Sequence, residues 1–131
     1  MLIGVLGIAL RHRSAGWGRK TVSRREEIEV QQHLLNWTDL PEVETRAGVT
    51  KREIEGRDGS IAMIRVAANT SASRHTHPHE QFVHVISGTG TLETEQGERA
   101  FGPGSIFHFP AETWHAARFD TEAVLVETNL K

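Results

Sequence analysis

From Trp37 onward the chain is punctuated by Pro41, Gly48, Gly56 and Gly59, and then by Gly88, Gly90, Gly97, Gly102 and Gly104, which mark short segments of strand length. Turn residues at this spacing, between stretches rich in Val, Ile, Phe and Thr, imply an all-β sandwich or barrel. The segments with strand character are 49–55, 61–68, 73–77, 81–86, 91–95, 99–101, 106–109, 114–119 and 123–128. Alternation is clearest in QFVHVI, where Gln81, Val83 and Val85 share one face and Phe82, His84 and Ile86 the other. Upstream, TVSRREEIEVQQHLL (21–35) has the pattern of one short helix with Ser23 as N-cap. The expected organisation is a 1–35 N-terminal extension, part helical, followed by a 36–131 β-barrel domain. At 131 residues one hydrophobic core is the natural outcome.

Composition narrows the chemistry. With no cysteine, disulfides, thiolate metal sites and cysteine nucleophiles are all excluded. Any metal must be held by nitrogen and oxygen. The eight histidines are concentrated: His75, His77, His79, His84 and His115 fall in one part of the chain. Net charge is −2, but residues 1–25 carry six basic groups and no acid, so the remainder sums to −8. An acidic body argues against a phosphate-backbone partner. The apolar run MLIGVLGIAL is too short to span a bilayer and its charges follow it, which is the wrong order for a secretory signal. The expectation is a cytoplasmic protein with no membrane and no nucleic-acid partner.

His75 and His77 stand two residues apart, so on a strand both imidazoles project from one face and form a chelating pair. Gln81 follows across the Pro78 turn, and its parity matches the inward face of the next strand, where its amide oxygen is able to act as a third ligand. On the 49–55 strand, Arg52 shares a face with Ile54; if that face is inward, its guanidinium stands at the barrel mouth, suited to hold a carboxylate in a bidentate pair. His79 reads as facing solvent, and Trp114, beside His115, is a candidate to approach a ligand.

The run SRHTHPHEQFVHVISG resembles the first cupin motif: His-x-His, three residues, an acid, six residues, Gly. Here those positions are His75, His77, Gln81 and Gly88, with Gln in place of the acid. GPGSIFHFPAETWH resembles the second motif through Pro103, Gly104, Pro110 and His115. The resemblance implies an RmlC-like jelly roll, a double-stranded β-helix, in which His75, His77, Gln81 and His115 converge on one divalent transition metal. Three imidazoles and an amide oxygen suit Fe, Mn, Ni, Co or Zn. A neutral Gln81 leaves the ion its full charge, which favours Lewis-acid chemistry.

A closer resemblance, through HTHPHEQ and the upstream GVTKREIEG, is to small cupins that act on unsaturated uronates in pectin breakdown. It implies an isomerase, lyase or cyclase type of reaction on a small sugar-acid or keto-acid substrate, with Glu127 on the last strand as general base. Asn129 stands where those proteins carry an aromatic residue. The alternatives within the family are a metal-dependent dioxygenase and a non-catalytic module that binds a small ligand. The resemblance also implies a homodimer.

Overall fold

The computed structural model describes residues 33–131. They divide, between Asp39 and Leu40, into two compact units. The first contributes one 3-10 turn, Trp37–Asp39, in which the Asp39 amide donates to the Asn36 carbonyl and the Asn36 amide to Asp39 Oδ2, each at 2.8 Å. Of the helix expected over 21–35, only 33–35 lie within the described residues, and these are not helical.

Every described strand lies in the second unit, Leu40–Lys131. In chain order they are β1 (Val43–Arg46), β2 (Val49–Glu55), β3 (Gly59–Val66), β4 (Thr70–His75), β5 (Gln81–Ser87), β6 (Gly90–Thr94), β7 (Gly97–Phe101), β8 (Ile106–Phe109), β9 (His115–Phe119) and β10 (Ala123–Leu130). Six form one sheet in the order β1-β2-β3-β10-β5-β8, and four form the other, β4-β9-β6-β7. All paired neighbours are antiparallel. The turn spacing led to an all-β sandwich or barrel, and the two sheets are the jelly roll that the cupin resemblance implies. The nine expected strands are all present, and β1 is an additional one.

Period-two alternation sets which residues face the interior. On β5, Gln81, Val83 and Val85 are buried while Phe82 and Ile86 are exposed. Val83 and Val85 meet Ala62, Ile64 and Val66 of β3, Leu125 of β10 and Phe107 of β8 in one apolar cluster. Phe101 closes that cluster at the end of β7, packing edge-on against Phe107 and Phe119 at centroid distances of 5.1 and 5.5 Å, the geometry that aromatic quadrupoles favour.

Gly90, at the start of β6, is where this packing leaves no room. A Cβ there would run into the Arg118 carbonyl and the Phe101 ring. Gly90→Ala is therefore expected to cost about 1–3 kcal/mol through overpacking. The check is a lower urea midpoint at unchanged slope; an unchanged midpoint contradicts the assignment.

Candidate metal centre

The site begins with a register shift. Ala72 of β4 is opposite Ala117 of β9, and His75 is opposite His115, so three residues on β4 span two on β9. Such a bulge reverses the parity of the strand beyond it. Ala72 and His75 consequently both line the same interior cavity. His77 lies two positions on and faces the same way. It is tied to the following motif through its carbonyl, which accepts the Glu112 amide at 2.7 Å.

The result is a cluster of three imidazoles. Ring centroids lie 4.9 Å apart for His75 and His77, 4.3 Å for His75 and His115, and 5.3 Å for His77 and His115. One nitrogen from each falls within 4.8 Å of the others. Two nitrogens bound to one ion at ~2.1 Å lie at most ~4.2 Å apart, so a small rotation of the rings brings this set onto a single ion. Backbone carbonyls settle which nitrogens face inward: His75 Nδ1 donates to Ser73 O at 2.7 Å and His115 Nδ1 to Thr113 O at 3.2 Å. Each bond leaves the Nε2 lone pair for a metal, the usual arrangement behind a ligating histidine. Phe109 lies flat on the His115 ring, 3.7 Å between centroids and 1° between planes, which fixes its tilt.

Two of the imidazoles, those of His77 and His115, are held neutral. Burial, reinforced by His75, pushes the His115 pKa down from 6.5 to about 4, against a smaller upward pull from the Thr113 carbonyl. His77 is lowered as well, by burial and then by His75 and His79. A neutral ring is the form that binds a metal.

Gln81 is 4% exposed and lines the same cavity. It is paired in register with Asn129 of β10 on one side and with Phe109 of β8 on the other. Its Nε2 donates to Asn129 Oδ1 at 2.9 Å, which turns the amide so that Oε1 is the atom left for another partner. Asn129 Oδ1 also receives His79 Nε2 at 3.2 Å. Its amide in turn hydrogen-bonds Glu127, whose pKa is raised above 4.5, chiefly by burial, while Lys51 and Asn129 pull it down.

The cavity has a volume of about 760 Å³, within the range of small-molecule sites. Val83, Phe107, Phe109 and Leu125 form its apolar wall, and Glu127 stands among them. Lys51, Glu53 and Glu55 of β2 supply a charged side.

Three expectations need correction. Arg52 is turned away from the cavity: its guanidinium donates to the Leu40 carbonyl at 2.5 Å and pairs with Glu42 at 3.3 Å. The inward face of β2 is the charged one, Lys51, Glu53 and Glu55, because this strand flanks an open cavity instead of a packed core. His79 does not face solvent but lines the cavity. Trp114 is covered by the Arg74 guanidinium, 3.7 Å from its ring centroid, and is not part of the lining. The signal for Asn129 was its position two residues after Glu127 on one strand, which puts both on one face; for His79, on a turn, alternation carries no signal.

A family model described as the cupin domain matches residues 62–128. The chain belongs to the cupin family. An RmlC-like cupin from Shewanella frigidimarina is similar over 76% of this cupin and 90% of that chain, at 17% identity and a TM-score of 0.71. KdgF from Halomonas sp. is similar over 76% and 94%, at 18% identity and a TM-score of 0.68. A sugar phosphate isomerase of the cupin superfamily from Silicibacter pomeroyi is similar over 75% of each chain, at 17% identity and a TM-score of 0.64. At these identities the likeness establishes the fold. No curated protein sequence matches this cupin. Among the described residues no helix is long and apolar enough to cross a membrane.

Replacing Asn129 by Ala is expected to weaken binding of Mn²⁺ or Zn²⁺ about tenfold through the loss of support behind Gln81. His75→Ala, His77→Ala and His115→Ala are each expected to weaken it further; calorimetric titration ranks the four. Equal affinity in His115→Ala and wild type contradicts the site.

The depressed histidine pKa values also make acid unfavourable. Between the ordinary 6.5 and about 4 the unfolded chain binds more protons than the folded one, so stability falls as pH drops through that window. The metal-free protein is expected to melt progressively lower from pH 6.5 to pH 4, and His115→Phe to flatten that slope.

Proposed function

We propose that this cupin is a metal-dependent enzyme of the isomerase, lyase or cyclase type acting on a small sugar-acid or keto-acid substrate. His75, His77, His115 and Gln81 Oε1 would hold one divalent transition ion, which when bound would supply Lewis-acid polarisation of a carbonyl or enol oxygen. The observation that carries the reading is one cavity lined both by the three converging imidazoles and by a half-buried carboxyl, Glu127. A filled barrel interior would have favoured a structural role; an accessible cavity beside the histidines supports turnover.

The chain's own residues divide the remaining work. Glu127 takes a proton from the substrate carbon or hydroxyl and returns it at the neighbouring atom. Its raised pKa makes the carboxylate a stronger base than one in water, and the hydrogen bond with Asn129 helps to hold the carboxylate in place. Val83, Phe107 and Leu125 exclude water from the reacting face, which strengthens each polar contact within it. The resemblance to uronate-handling cupins supports the substrate class, and the fold shared with a sugar phosphate isomerase is compatible with it. A homodimer, also implied by that resemblance, belongs to the same reading.

The test is turnover of unsaturated uronates and related keto acids by metal-reconstituted protein. Glu127→Gln is expected to lower kcat by about 10²–10⁴, the usual contribution of a positioned acid–base group, with metal content unchanged. It is also expected to raise the melting temperature near neutral pH, since ionising a carboxyl whose folded pKa is raised opposes folding. Full activity in Glu127→Gln or in His77→Ala ends the proposal, and oxygen consumption coupled to turnover would replace it with a dioxygenase.

A further inference from the structure

Among the described residues the cavity lining carries three cations, Arg46, Lys51 and Lys131, and two of them are already neutralised. Lys51 pairs with Glu53 and Lys131 with Glu55, each at 3.1 Å. Among the described residues no carboxylate pairs with Arg46; its one hydrogen bond runs from Nη2 to the Ser71 carbonyl at 3.0 Å. That bond crosses from β1 to β4, on different sheets, and so ties the guanidinium of this lining residue to the second sheet. The remaining N–H donors of the fork stay available for an anion.

The position of Arg46 relative to the reacting centre follows from register. Arg46 is opposite Val49 on β2. Glu53, four residues further along β2, is level with Ala62 and, across β3, with Glu127. On β4, Ser71, which anchors Arg46, likewise precedes His75 by four residues. At ~3.3 Å per residue these offsets place the guanidinium roughly 10–13 Å along the strands from Glu127 and the imidazoles. A two- or three-carbon acid cannot reach both ends. The cavity volume of about 760 Å³ accommodates a longer molecule.

We propose that Arg46 anchors a carboxylate at the far end of an extended acid, such as a two-ring uronate, whose reacting end lies between the imidazoles and Glu127. The planar fork of arginine holds a carboxylate through two parallel bonds, and a guanidinium with no counter-ion among the described residues gives up no pair there to do so. This inference rests on the proposed reaction only for which end of the molecule reacts.

The test is calorimetric titration of the full chain, loaded with Mn²⁺, with a two-ring unsaturated uronate whose far carboxylate is either free or methyl-esterified. Wild type is expected to prefer the free acid by at least about tenfold, the effect of one charge-assisted pair. Arg46→Gln is expected to bind both forms alike, and Arg46→Lys to fall between. A one-ring unsaturated uronate, too short to reach, is expected to bind wild type and Arg46→Gln equally. A preference that survives in Arg46→Gln, or none in wild type, overturns the anchor. Turnover of the one-ring acid without an Arg46-dependent preference keeps the reaction and discards the anchor; the preference without turnover does the reverse.

Discussion

The site depends on the pairing of His75 with His115 across β4 and β9. Those residues come from motifs forty positions apart, and the sheet brings them opposite each other only because β4 carries a bulge after Ala72. Without the extra residue, alternation would place Ala72 and His75 on opposite faces. The His77 carbonyl bond to Glu112 and the Phe109 ring on His115 then secure both ends of the arrangement. Hydrogen bonds from Nδ1 of His75 and His115 to backbone carbonyls orient the rings before any ligand arrives, so little reorganisation remains to oppose binding.

The interior is divided in its chemistry. At one end Phe101, Phe107 and Phe119 pack with the valines and leucine of β3, β5 and β10; at the other, the same strands present Gln81, Glu127 and Asn129 around a cavity. Burial acts oppositely on the two kinds of titrating group there. It holds His77 and His115 neutral, the form in which an imidazole can bind a metal, and makes Glu127 harder to ionise and so a stronger base. Both effects oppose folding at some pH, a cost often found where a site is kept polar within an apolar scaffold.

Much of this was legible in the sequence, and the exceptions have physical reasons. Glycine and proline punctuation located nine strands, and the parity of Gln81, Val83 and Val85 identified the buried face of β5. The strand β1, VETR, was missed because all four of its residues are exposed and it has no apolar alternation. Arg52 was assigned to the interior with Ile54 on the premise that apolar residues face inward; β2 borders an open cavity, so its charged face is the inner one. Arg46 and His79 gave no signal because their roles come from contacts between separate strands and a turn. His115 was recognised from motif resemblance, since spacing alone does not show that β9 pairs with β4.

The most direct measurement is anomalous diffraction, at the absorption edge of the bound metal, from crystals of protein purified without chelator. The expected result is one peak bordered by nitrogens of His75, His77 and His115 and by Gln81 Oε1. A peak elsewhere, no peak at all in metal-replete crystals, or a Gln81 amide beyond bonding reach of the ion would contradict the four-ligand centre.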